Sequence, residues 1–178
     1  MTMRALGMVV LIVAGRVQGQ CDNELVGDLN GDLLLDEACY RVTGDVFVRG
    51  TLTISPGVRL EFEGDYVLQV TGILKAVGTA AERIVFTSSP SSASWKGIFF
   101  DNTQPGSELV FCTIEYANSS GIRLYNSLQR IEDCVVQNCT KTGGTRQGGG
   151  IEVRIKVGDL ILRRCDIVNN RSQYFGGI

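Results

Sequence analysis

Short runs of alternating apolar and polar residues follow one another along most of the chain. Val58-Arg59-Leu60-Glu61-Phe62 and Arg83-Ile84-Val85-Phe86-Thr87 show the pattern, and Leu160-Ile161-Leu162 is a shorter apolar run. Successive side chains of a strand point to opposite sides, so such runs predict strands with one buried face. They end in Gly, Asn, Ser or Asp, which favour turns for reasons of backbone freedom and local hydrogen bonding. Beyond residue 19 no stretch sustains a capped, 3.6-residue apolar period. The prediction is an all-β chain.

The runs are organised by a repeat. A Gly-Ile step occurs at Gly72-Ile73, Gly97-Ile98, Gly121-Ile122, Gly150-Ile151 and Gly177-Ile178, at spacings of 25, 24, 29 and 27. Gly50-Thr51-Leu52 precedes the first by 22 as a variant of the same step. Periods of ~20–50 residues mark solenoids or propellers, and a propeller blade needs ~40–45. A regular Leu-x-x-Leu-x-Leu frame is absent. Two or three short strands per period fit one turn of a parallel β-helix, a solenoid of about five to six turns over residues 44–178.

Stacked turns lie ~4.8 Å apart, so equivalent positions should form columns of like residues. Cys112-Thr113-Ile114, Cys134-Val135-Val136 and Cys165-Asp166-Ile167 repeat one local pattern, with Cys and the aliphatic residue on the same side. An inward thiol column is expected, because a free Cys behaves as a small buried hydrophobe. Turn columns should hold Gly, where positive φ is needed. Asn118, Asn138 and Asn169 or Asn170 follow the three Cys segments, as either an amide ladder or ordinary turn residues. Asn118-Ser119-Ser120 and Asn138-Cys139-Thr140 fit the N-glycosylation pattern, which has meaning only in a glycosylating host.

The N-terminus changes the picture from fold to destination. Arg4 precedes an apolar run from Ala5 to Ala14, and Val17 and Gly19 are the small residues of a cleavage site. Residues 1–19 are expected to be a signal peptide cut between Gly19 and Gln20, with residues 20–43 as an N-terminal cap or first turn. A lipoprotein leader would acylate Cys21, but Gln18 and Gln20 fit that pattern poorly. The net charge is −2 and becomes −4 once Arg4 and Arg16 leave with the leader. No later segment is apolar and long enough to span a membrane as a helix. With no basic excess, a nucleic-acid partner is not expected. The chain has 22 Gly and 6 Cys but no His, which excludes Ser-His-Asp and Cys-His catalysis and His-ligated metals. Cys21 with Cys39 is the expected disulfide, and the lack of a C-x-x-C pair argues against structural zinc.

Ile54-Ser55-Pro56-Gly57-Val58, Gly72 to Thr79, Ile84 to Ser88 and Trp95-Lys96-Gly97-Ile98 resemble bacterial right-handed parallel β-helix repeat proteins of cell surfaces. Gly148 to Ile151, Asp166 to Asn170 and Gly176-Gly177-Ile178 are similar to repeats of polymorphic outer-membrane proteins and autotransporter passengers. The resemblance covers residues 42–178 and implies a right-handed, pectate-lyase-like coil. It says less about activity, since the same scaffold carries surface proteins, polysaccharide lyases and glycoside hydrolases. The pattern reaches Ile178 without a polar cap, so an uncapped C-terminus and a truncated product are expected.

Candidate chemistry is sparse. Asp28, Asn30, Asp32 and Asp36 mimic the start of a calcium loop, but its sixth and twelfth positions are Leu33 and Cys39. Asp133 and Arg164 each precede a column Cys and should point outward on adjacent turns, with Asp166 nearby. They are the weak catalytic candidates, for glycoside hydrolysis or, by resemblance to β-helix lyases, for elimination across a uronate. The simpler reading is a surface ion pair. Trp95 and Phe99-Phe100 could stack on sugar or simply pack. The expectation is therefore an exported, non-catalytic surface or outer-membrane protein without a cofactor, used for adhesion, envelope structure or contact with polysaccharide or other surface proteins. The alternative is a fragment of a β-helix enzyme acting on acidic polysaccharide.

Overall fold

The computed structural model describes residues 21–92, 94–127, 129–141, 148–155, 160–173 and 175–178. The signal-peptide residues, including Gly19 and Gln20, lie outside them. The described residues are all-β, without a helix, and every pairing between named strands is parallel.

The chain visits three faces in succession. The first is built from residues 23–25 and 39–42 and the strands Arg59–Phe62, Ile84–Ser88, Cys112–Glu115, Val135–Gln137 and Asp166–Val168. The second comprises residues 27–29 and 46–48, then Leu68–Val70, Ile98–Asp101, Ile122–Tyr125 and Ile151–Arg154. The third is a separate six-stranded sheet of Leu33–Leu35, Thr51–Ile54, Ile73–Val77, Glu108–Val110, Arg130–Glu132 and Ile161–Arg163. Asn23–Leu29 and Cys39–Val48 run around a corner and join the first two faces into one sheet. The arrangement fits a parallel β-solenoid.

Stacking makes the core one column per inward position. On the first face Tyr40, Leu60, Phe86, Ile114, Val136 and Ile167 are successive lateral partners. On the second, Val46, Leu68, Ile98, Ile122 and Ile151 are partners, all with no exposed surface. Differences in turn length fall between strands: Thr51 pairs with Ile73, 22 residues on, whereas Lys75 pairs with Glu108, 33 residues on. Trp95 fills one corner, fully buried, stacked on Phe62 at 4.0 Å and donating Nε1–H to the Glu115 carbonyl at 2.8 Å. Phe100 packs inward, like Trp95, and Phe99 faces out.

Three expected columns are redrawn. The Gly-Ile steps belong to two faces: Gly97-Ile98, Gly121-Ile122 and Gly150-Ile151 start second-face strands, whereas Gly72-Ile73 starts a third-face strand in register with Gly50-Thr51. The second-face partner of Ile98 is Leu68, preceded by Val67 rather than Gly. Positive φ is not reserved for Gly either. Among the described residues nine non-glycines adopt it against four glycines. They recur by column: Phe111, Asp133 and Arg164 before the Cys strands, Tyr116, Asn138 and Asn169 after them, and Asn102 and Asn126 after the second face. A corner set by stacking overrides the local steric preference.

The amide ladder is the third. The first-face strands end at Glu115, Gln137 and Val168, so Asn138 and Asn169 share a column, with Tyr116 as its third member, whereas Asn118 and Asn170 each lie in another. Asn118 donates to Asp65 and Ser94, and Asn170 bonds backbone of the preceding coil. The amide-to-amide bond lies instead at Asn126, whose Nδ2 donates to Asn102 Oδ1 at 3.3 Å.

Candidate functional site

Two charged groups stand on the outside of the coil. The first lies at the corner between the third and first faces. Cys112, Cys134 and Cys165 are in register through their neighbours Thr113, Val135 and Asp166, so Asp133 and Arg164 fall side by side. Arg164 donates Nε–H and Nη2–H to the two oxygens of Asp133, each at 2.7 Å. Arg164 also reaches Glu132 at 3.3 Å, Glu132 takes a bond from Arg130 at 3.0 Å, and Arg130 reaches Glu108 at 3.4 Å. Arg83 closes the other side, donating to the carbonyls of Cys112 and Asp133 and to Thr113 Oγ1. The Arg164 hydrogen bonds hold the Asp133 carboxyl below the usual carboxylate range, and the Arg130 bond does the same for Glu132. Hydrogen bonding to Asp133 raises Arg164 further. These acids stay ionised and paired, which suits neither a general acid nor a nucleophile awaiting substrate.

Asp166 does not join them. Its side chain is exposed on the first face and makes no hydrogen bond or ion pair among the described residues. Asp28 pairs with Arg49 at 2.7 Å, whereas Asn30, Asp32 and Asp36 are exposed. Asp28 lies within a second-face segment and Asp36 follows a third-face strand, and no three carboxylates converge there among the described residues. Cys21 and Cys39 are joined in a disulfide across a separation of 18 residues. Glu61 lies beside them, but bonded sulfurs offer no thiolate to a metal.

The inner side of the same corner carries the thiols. Cys112, Cys134 and Cys139 are buried and Cys165 is partly covered, and all four are free. Each column thiol points at carbonyls: Cys112 at Ala76 and Val110, Cys134 at Leu109 and Glu132, Cys165 at Ile131 and Arg163, between 3.2 and 3.5 Å. Bonding to the Cys112 thiol is the main cause that pushes Cys134 up to about 12, and burial pushes Cys139 up to about 11. Such thiols are poor nucleophiles at neutral pH.

The second charged group sits on the second face and was not singled out from the sequence. Phe99, Arg123 and Glu152 are lateral partners in outward positions. The Arg123 guanidinium lies over the Phe99 ring at 4.5 Å. Glu152 is only 8% exposed and faces Arg154 Nε at 2.8 Å and Lys141 Nζ at 3.8 Å. Burial lowers Arg123 and Lys141 despite the nearby Glu152 charge. A signal existed: each of the three residues follows a Gly-Ile step, at Gly97-Ile98-Phe99, Gly121-Ile122-Arg123 and Gly150-Ile151-Glu152. Lys141 and Arg154 join only through the fold.

Among the described residues no helix is long and apolar enough to cross a membrane. No family model matches the chain, and no solved structure matches it. A stretch of 88 residues, 47% of this chain, is 39% identical to part of the protein named "Protein bark beetle" from Drosophila melanogaster. The matched region spans 3% of that much longer protein, so the similarity is to one small segment of it.

Proposed function

We propose that the chain is an exported right-handed parallel β-helix of a cell surface, non-catalytic, which contacts polysaccharide or other surface proteins through its outer faces. The observation that carries this reading is the Asp133–Arg164 pair with its extension through Glu132, Arg130 and Glu108. Its carboxylates are spent on guanidinium groups of the same or the next coil, which gives the surface a fixed charge pattern instead of free acid and base. The leader-like residues 1–19 and the Cys21–Cys39 disulfide support export.

The polysaccharide-degrading alternative has one observation in its favour, the Lys141 ammonium whose proton is loosened by burial beside Glu152. One experiment separates the two. The secreted chain is run in gels containing polygalacturonate, alginate or a neutral glucan, and the same mixtures are followed for absorbance of unsaturated product and for new reducing ends. Retardation without product supports the binding reading. Turnover that is lost in Lys141→Met replaces it with the enzyme.

A further inference from the structure

The chain carries three Asn-x-Ser/Thr triplets, at Asn118-Ser119-Ser120, Asn138-Cys139-Thr140 and Asn170-Arg171-Ser172. Their asparagines sit in three different environments, and the differences decide which side chain can leave the protein surface. Asn170 is held at both ends: its Oδ1 accepts from Cys139 N–H at 2.9 Å and its Nδ2 donates to the Val136 carbonyl at 2.8 Å. Its amide also lies where a Cβ on Gly150 would meet it at 2.7 Å. Asn118 is held at its nitrogen, which donates to Asp65 at 2.7 Å and to Ser94 at 2.9 Å.

Asn138 differs on each count. It occupies the positive-φ corner after Val135–Gln137, at φ 54°. Its column neighbours are Tyr116, 45% exposed, and Asn169, also exposed, so the column points outward. Its amide makes no hydrogen bond among the described residues. The next residue, Cys139, turns inward and is fully buried, whereas Asn138 keeps part of its surface exposed.

We propose that Asn138 is an N-linked glycosylation site and that the fold keeps Asn118 and Asn170 unmodified. The donor is a lipid-pyrophosphate-linked oligosaccharide. The Asn138 Nδ2 forms a bond to the anomeric carbon, the bond from that carbon to the pyrophosphate oxygen breaks, and lipid pyrophosphate and one amide proton leave. Nothing is oxidised or reduced. The assignment rests on the export reading, because the donor meets only chains that enter a secretory pathway.

The test expresses the full chain in insect cells with its own leader, and in parallel with residues 1–19 replaced by a foreign secretion leader. Glycans are released enzymatically in heavy-oxygen water, and the peptides are mapped by mass. The expected result is a label on Asn138 in most of the secreted chain, none on Asn118 or Asn170, and loss of the gel shift in both Asn138→Gln and Thr140→Val. Secretion behind the foreign leader with Asn138 unlabelled, or a glycan on Asn170, overturns the assignment. Labelled Asn138 behind the foreign leader, with no secretion behind the native one, overturns export and supports the site.

Discussion

Cys134 shows how much a single side chain is governed by its column. It lies between Cys112 and Cys165, 1% exposed, and its thiol is directed at the Leu109 and Glu132 carbonyls. A thiol whose folded value is raised keeps its proton more tightly folded than unfolded, so its contribution to stability is present below pH 9 and lost as pH rises toward about 12. The urea midpoint should therefore fall between pH 9 and 11 and fall less in Cys134→Val. At pH 7.5 a thiol reagent should label Cys134 and Cys139 only after denaturant is added, and rapid labelling of the folded chain contradicts the buried column. Gly97 is the backbone counterpart. It adopts φ +81°, and an added Cβ would run into the Ser120 carbonyl oxygen of the next coil. Gly97→Ala should cost more than about 1 kcal/mol in urea unfolding. Gly31→Ala, where a Cβ meets nothing within 4 Å, should cost far less in the same assay.

At the scale of elements, strands of three to five residues are stable here because those inside the stack have a partner on each side, the end strands having one, and corners keep successive strands in register. Asn170 is such a corner: it ties the coil holding Asp166–Val168 to the one holding Val135–Gln137 through two backbone groups. Asn170→Ala leaves the Cys139 N–H and the Val136 carbonyl without that partner, at a cost of about 1–3 kcal/mol. The check is the thermal midpoint, together with faster amide exchange at Cys139. The sequence announced these strands through their alternation, and the Cys-x-aliphatic pattern placed three of them in register. It did not separate the two families of Gly-Ile steps, since both faces begin strands after a close backbone approach. Of the asparagine corners, Asn138 and Asn169 share a column as turn residues, whereas Asn118 and Asn170 fall outside it because the corners after the first face differ in how many residues separate the strand end from each asparagine.

For the whole molecule, each coil is held by its neighbours, so stability accumulates from one interface to the next. The coils between Val58 and Val136 carry inward residues with almost no exposure, whereas the inward Leu162, Cys165 and Ile167 of the last coil are only partly covered. Hydrogen exchange should be slowest across Arg59–Phe62, Ile84–Ser88 and Cys112–Glu115 and faster by at least tenfold at Ile161–Arg163 and Asp166–Val168. Uniform protection along the chain would count against neighbour-by-neighbour stacking. The outer charges behave as a lattice across coils. Asp133 and Glu132 are lowered by their guanidinium partners, so their contribution is present at neutral pH and is lost as pH falls through and below the ordinary carboxylate range.

The sequence by itself determined the strand character, the repeat, the inward thiols and the adjacency of Asp133 with Arg164. All four follow from alternation and a near-constant period, which are properties of neighbouring residues in the chain. Only the tertiary structure decided which glycines share a face, which asparagine corners bond and which point out, and that Lys141 and Arg154 converge on Glu152. Those outcomes depend on turn lengths between strands, with circuits from 17 residues (Asn23 to Tyr40) to 33 (Lys75 to Glu108), and each extra residue in a corner shifts what stacks on what.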